Sequence, residues 1–286
     1  MPAKAKSARR PRTSSRPAEP SAFTARRPRA FLQGFANGLN VIRSFGPQTS
    51  AMTLSEVAKL NGLTRAAARR ILLTMQELGY VEAHGRTFQL RPKVLDLGYA
   101  YLSSISWIGI AQPIVEDIVA KTRMPCNGSV LDNQDIIYVL RVSTRVEIRA
   151  DLAISIGRRF PAYLTAMGRT LLSGLPPQDF EDYLASATIA PLTRRTVSNP
   201  AALRKVIASD RAQGWSFVNQ EHATGICSIG VPLRDARART FAALGIGWVV
   251  TDESPEKTRD RVLPVLLAAA TAINRLLRVH GSVSGP

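Results

Sequence analysis

The sequence predicts an α+β protein: an N-terminal winged helix-turn-helix, a linker helix, and a larger domain in which an antiparallel sheet is flanked by helices. Three observations predict it. Residues 31–91 show short helical periodicities separated by tight-turn residues and closed by a hairpin pattern. Residues 109–280 combine strands that come in hairpin pairs with amphipathic helices, the pattern of helices packed on an antiparallel sheet. The 286-residue length suits two domains, or one with a substantial appendage, and 45% apolar against 21% charged residues can fill a sizeable core.

The first 30 residues hold nine Lys/Arg, one acid and five prolines, with almost no apolar content. Such a segment cannot bury enough surface to offset its chain entropy, so residues 1–30 read as a disordered basic arm. Phe31 to Phe45 then spaces Leu32, Phe35, Leu39 and Ile42 as a helix that Gly46-Pro47 ends. Thr53-Leu54-Ser55-Glu56 is a capping box opening a short second helix, and Asn61-Gly62 supplies the turn that stops it. Thr64 caps a third helix, Arg65 to Leu78, with Ala68, Ile71, Leu72, Met75 and Leu78 on one face. Two strands flanking His84-Gly85-Arg86 complete the wing.

This is the layout of a module whose third helix enters the major groove of DNA. The candidate DNA-binding residues are Thr64, Arg65, Ala66, Arg69 and Arg70 at the start of that helix, and Arg86 at the hairpin tip. Charge agrees. Of a net +17, residues 1–30 hold +8 and residues 31–91 hold +4, leaving +5 for the remaining 195. The implied partner is a polyanion, double-stranded DNA.

Pro92 opens a linker helix over residues 92–108 whose apolar residues nearly surround it, suited to packing against a second copy in a homodimer or tetramer. In the larger domain, residues 109–280, Ile110 to Thr122 reads as a helix. Cys126 to Leu131 and Ile136 to Val142 read as a hairpin, and Val146 to Ile154 as a third strand. Ala162 to Leu172, Phe180 to Leu184 and Pro200 to Gln213 read as helices, and Trp215 to Asn219 as extended. Ser228 to Leu233 and Phe241 to Thr251 form a second hairpin, and Ser254-Pro255 starts a helix running to Val279. Residues 281–286 are a flexible tail.

Two runs carry a family resemblance. Ile156-Gly157-Arg158-Arg159-Phe160-Pro161-Ala162-Tyr163-Leu164-Thr165-Ala166-Met167-Gly168-Arg169-Thr170-Leu171-Leu172 is similar to the signature of IclR-type transcriptional regulators, above all the subgroup governing aromatic-acid catabolism through the β-ketoadipate pathway. Phe217-Val218-Asn219-Gln220-Glu221-His222-Ala223-Thr224-Gly225-Ile226-Cys227-Ser228 resembles that family's second ligand-domain motif. The resemblance implies a GAF-like effector domain holding a small organic acid such as protocatechuate, a hydroxybenzoate or β-ketoadipate. Carried over by position, its ligand residues are Thr165, Ala166, Met167, Asn219, Glu221, Ile226, Ser228, Gly245 and Gly247. Gly245 and Gly247 depart from the family, which often has hydroxyl or amide side chains there; His222 and Thr224 depart from the subgroup. Free amides at the start of the Thr165–Gly168 helix suit a carboxylate, and strand glycines admit close approach.

The remaining signals point away from catalysis. Three histidines and two cysteines 101 positions apart offer no metal spacing, no cofactor motif completes itself, and Gly245-Ile246-Gly247 lacks the third glycine of a dinucleotide fingerprint. The expectation is a cytoplasmic, membrane-free, ligand-responsive regulator and not an enzyme. The rival readings are a nonspecific nucleic-acid-binding protein driven by the arm and, less favoured, a small-acid-transforming enzyme tethered to DNA.

Overall fold

The computed structural model describes residues 30–144 and 154–279. The basic arm, the C-terminal tail and the strand expected from Val146 lie outside the described residues, apart from Ala30 and Ile154 at their edges. The chain divides into two compact units, Met1–Tyr99 and Ala100–Pro286.

The first unit runs α1 (Gln33–Ser44), β1 (Ala51–Thr53), α2 (Leu54–Leu60), α3 (Arg65–Glu77), β2 (Val81–His84) and β3 (Thr87–Leu90). The capping box forms as the sequence dictates: Glu56 N–H donates to Thr53 Oγ1 at 3.3 Å while Thr53 N–H donates to Glu56 Oε2 at 2.7 Å. Those bonds hold the Glu56 carboxyl below the usual carboxylate range. Gly62, at φ +61°, takes the left-handed turn between α2 and α3. Val41, Val57, Ala68, Leu72, Met75 and Val81 meet in one core. The sequence gives no sign of β1, three residues with a single buried side chain, Met52. It extends the wing to a three-stranded sheet, β1-β3-β2, by pairing Ala51 with Gln89.

Beyond a 3-10 turn at Pro92–Val94, α4 (Leu95–Ser104) ends at an extended Ile105, and α5 runs Ser106–Thr122. The linker helix expected over residues 92–108 is therefore interrupted at Ile105. The rest follows as β4 (Cys126–Asp132), β5 (Asp135–Val142), β6 (Arg159–Pro161), a 3-10 turn at Ala162–Leu164, then α6 (Ala166–Ser173) and α7 (Pro177–Ser186). It closes with α8 (Pro200–Gln213), β7 (Ser216–Asn219), β8 (Ile226–Arg234), β9 (Thr240–Val249) and α9 (Pro255–Val279). The helix read from Ala162 thus begins as a 3-10 turn, with Thr165 extended as the N-cap of α6.

Six strands form one antiparallel sheet in the order β6-β5-β4-β9-β8-β7. Period-two alternation splits their side chains between two cores. Cys227, Ile229 and Val231 of β8 and Leu244 and Ile246 of β9 pack with Trp107, Val115, Val262, Leu266 and Ile273 of α5 and α9. Ile136, Tyr138 and Ala243 instead pack with Met167, Leu171, Phe180, Tyr183, Leu203 and Ile207 of α6, α7 and α8. By length and composition α9 is apolar enough to cross a membrane, but Val262, Leu266, Ile273 and Leu277 are buried in the first of these cores.

Helix α6 sits unusually close to its neighbours, and glycines make that possible. A Cβ on Gly168 would lie 2.1 Å from the Ala162 carbonyl oxygen; one on Gly230 would lie 2.8 Å from the Ala166 backbone. Gly245 faces the Met167 side chain, whose Cγ would be 2.5 Å from an added Cβ. Gly247 differs, with nothing nearer than 3.7 Å. Overpacking against backbone cannot relax by rotamer change, so Gly168→Ala should lose about 3 kcal/mol, whereas Gly247→Ala should stay within about 0.5 kcal/mol of the parent. Urea denaturation of the two variants checks this; equal losses would show that α6 can shift to make room.

Candidate functional site

The six candidates for DNA contact are all exposed in the first unit. Thr64 caps α3, its Oγ1 accepting from Ala67 N–H at 3.1 Å, and Arg65, Ala66, Arg69 and Arg70 are exposed on the first two turns. Arg86 is exposed at the turn between β2 and β3. Among the described residues none of these four arginines forms an ion pair, so each guanidinium is available to a phosphate or a guanine edge. Ala68, Leu72 and Met75 on the opposite side of α3 are buried, which fixes the arginine face outward.

In the second unit a cavity of about 150 Å³ lies between the start of α6 and the sheet. Thr165, Ala166, Met167, Ile226, Ser228, Gly245 and Gly247 line it, seven of the nine residues the family resemblance named. The start of α6 offers less than the sequence suggests. Ala166 N–H donates to Ser228 Oγ at 3.4 Å and Gly168 N–H to Thr165 Oγ1 at 3.0 Å, so two of its first three amides already have partners. Gly245 accommodates Met167 and leaves the opening of ligand space to Gly247.

Asn219 and Glu221 are not among the lining residues, and this corrects the expectation. Strand alternation directs Val218 to the cavity and Asn219 away from it. Asn219 donates to Glu256 Oε1 of α9 at 3.2 Å and accepts from the Cys227 thiol at 3.3 Å. Glu221 is buried and forms an ion pair with Arg169 of α6, Nη2 to Oε2 at 2.5 Å. Arg169 Nε also donates to Tyr163 O at 3.0 Å, and Val197 N–H donates to Glu221 Oε2 at 2.9 Å. Thr196 and Thr193 hydroxyls cap the Glu221 carbonyl, so the segment before β8 is tied down from two sides. Nearby, burial raises the Asp210 carboxyl to about 6.

Six polar residues absent from the expected set also line the cavity: Asn127, Tyr138, Arg141, Ser143, Thr144 and His222. Asn127 of β4 stands in register between Arg141 of β5 and Gly245 of β9, one row across three strands. Burial pushes the Tyr138 phenol up to about 12, so it remains a hydrogen-bond donor at neutral pH. His222 packs edge-on against Phe160 at 5.0 Å between ring centroids; burial, and then Arg158, lower its pKa and keep the ring neutral. The sequence did carry a signal for Asn127 and Arg141. Polar side chains in strands covered by helices on both faces face either a partner or a site. Both cysteines are buried, and burial raises their thiols to about 12 at Cys126 and about 11 at Cys227, which makes them poor nucleophiles.

Comparison with known proteins agrees with both halves. Residues 35–85 match the model of the IclR helix-turn-helix domain, and residues 99–275 match that of the bacterial transcriptional regulator IclR C-terminal domain. The Pca regulon regulatory protein of Pseudomonas putida is 39% identical over 240 residues, covering 84% of this chain and 82% of that protein. The p-hydroxybenzoate hydroxylase transcriptional activator of Acinetobacter baylyi is 28% identical over 250 residues, covering 86% of this chain and 92% of its own. A solved structure from Rhodococcus sp. RHA1, assigned as a transcriptional regulator, is 42% identical with a TM-score of 0.77, covering 87% of this chain and 100% of that one.

The buried ion pair makes a test of the Glu221 correction. Glu221→Gln leaves the Arg169 charge buried without its counter-ion and should cost about 3–5 kcal/mol, while Arg169→Met with Glu221→Leu should cost markedly less. Denaturant unfolding of both variants reads the difference. A neutral Glu221→Gln would mean that the carboxylate has no structural task.

Proposed function

The chain belongs to the IclR family of bacterial transcriptional regulators, and we propose that it works as a homo-oligomer whose hold on its operator is set by a one-ring organic acid in the α6 cavity. The observation that carries the ligand is the cavity itself. Its volume of about 150 Å³ is that of a site known to take a single benzene ring. Its walls are mainly apolar, from Phe160, Leu164, Met167 and Ile226, with Arg141, Asn127, Tyr138 and Ser228 gathered along the sheet. An apolar ring with one anionic group matches that composition, Arg141 offering the complementary charge. The names of the relatives, regulators of the Pca regulon and of p-hydroxybenzoate hydroxylase, favour the same class.

The arginine face of α3 reads bases in the major groove while Arg86 on the wing holds the backbone. Self-association is supported by apolar side chains that the described residues leave exposed: Leu95, Leu97 and Tyr99 of α4, and Phe35 and Leu39 of α1. An oligomer reads paired half-sites, whose spacing is fixed by the DNA helix. The acid then shifts operator affinity only by binding one arrangement of the paired modules better than the other.

Two measurements test the two halves. Arg69→Ala should weaken operator binding by roughly 5- to 100-fold, the value of one bidentate base contact, with little effect on random-sequence DNA. Equal loss on both would reassign Arg69 to phosphate. In a thermal-shift screen of protocatechuate, 4-hydroxybenzoate, β-ketoadipate and short keto acids, an aromatic acid at 100 times its Kd should raise Tm by roughly 5–10 °C. Gly247→Val, which projects methyl groups into open space, should abolish that rise. No shift with any aromatic acid would sink the assignment of a one-ring effector.

A further inference from the structure

Two polar side chains of β4, Asn127 and Ser129, point toward the α6 side of the sheet, and their situations differ. The Ser129 hydroxyl reaches Met167 Sδ at 3.5 Å. Asn127 is 2% exposed, yet its amide oxygen has no hydrogen-bond partner among the described residues. Leaving a buried acceptor in that state is costly, so such atoms normally have a partner supplied by protein, water or ligand. Asn127 lines the cavity, and its neighbour in register, Gly245, has no side chain to offer it.

We propose that Asn127 is a specificity-determining residue that reads a hydroxyl group on the effector, which makes the effector a hydroxylated aromatic acid. The inference rests on the one-ring reading above and narrows it. The chemistry is selective. An amide oxygen accepts and cannot pair with an ionised carboxylate, which has no proton to give. A hydroxyl donates to Oδ1, and it also accepts from Nδ2, so it satisfies this side chain in either amide orientation. With the amide oxygen toward the cavity, the effector's carboxylate belongs to another group of the lining, which includes Arg141, the cross-strand neighbour of Asn127. A buried group built to bond a hydroxyl discriminates strongly against the analogue that lacks one, because that analogue leaves the group unpaired again.

The test compares benzoate with 2-, 3- and 4-hydroxybenzoate by isothermal titration of the full-length protein and of Asn127→Leu, a change that removes the amide at similar volume. In the parent, at least one hydroxylated isomer should bind roughly tenfold or more tighter than benzoate. In Asn127→Leu that advantage should fall below about threefold, because benzoate, which no longer leaves an amide unpaired, binds tighter than it does to the parent. Asn127→Ala, which only removes atoms, carries the same expectation should leucine disturb the strand. An advantage that survives both substitutions, or a parallel loss for benzoate and its hydroxylated relatives, overturns the assignment of Asn127 and leaves the one-ring effector standing. If no aromatic acid binds the parent, the effector class fails and this inference with it.

Discussion

The approach of α6 to the sheet governs the ligand-binding half of the molecule. Gly230 brings strand backbone directly under the Ala166 backbone, Gly168 admits the Ala162 carbonyl, and Gly245 receives Met167. At Gly230 helix and strand meet backbone to backbone, and at Gly168 the helix meets the backbone of the preceding turn, so the position of the helix start is fixed by contacts that compress little. The consequence is functional. Thr165, Ala166 and Met167 are held as one wall of the cavity, while the row formed by Arg141, Asn127 and Gly245 forms the floor beside it. A helix resting on flexible side chains would leave that wall free to move, and a one-ring ligand would gain little selectivity from it.

The Arg169–Glu221 pair extends the same constraint to a second wall. Arg169 lies one turn along α6 from the cavity residues, and Glu221 immediately precedes His222. The ion pair, the Val197 amide and the hydroxyls of Thr193 and Thr196 fix the backbone at Glu221, and the next residue thereby faces the cavity. A buried ion pair is weak support for stability when set against an apolar core of equal volume. Its value here is geometric, since it couples the residue that presents His222 to the helix that presents Ala166. A ligand touching both walls therefore meets a pair of surfaces that move together.

Much of this was legible before any coordinates. Caps and breakers are local chemistry, so Thr53, Gly62, Thr64 and Ser254 marked helix boundaries that the structure keeps. The family resemblance named seven cavity residues, five of them within the two quoted runs. Sequence failed where the outcome depends on what lies across the sheet. β1 and β6 are three residues each, too short for any periodicity, and exist because β3 and β5 offer them hydrogen bonds. Asn219 and Glu221 sit within the family run, but strand alternation turns one toward α9 and a buried arginine claims the other. Asn127 and Arg141 belong to the site only because antiparallel pairing sets them beside Gly245, a register that no local pattern states.

The distribution of charge closes the argument about mechanism. Residues 1–91 carry +12 of the net +17, so most of the attraction to DNA resides in the arm and the winged module, and the remaining 195 residues are near balance. Phosphate attraction of this kind is sequence-blind and strongly salt-dependent. It also enters the affinity of the effector-bound and effector-free states alike wherever the same cations meet the same phosphates, and so cancels from their ratio. Switching must come from the part that does not cancel, the fit of paired recognition helices to half-sites at fixed spacing. Coupling free energies between sites are typically about 1–3 kcal/mol, or roughly 5- to 150-fold in affinity. A ring-sized ligand gripped between two rigid walls can supply that much. Under the proposed function, the cationic residues 1–91 supply sequence-blind attraction to DNA, and the cavity supplies the difference between the effector-bound and effector-free states.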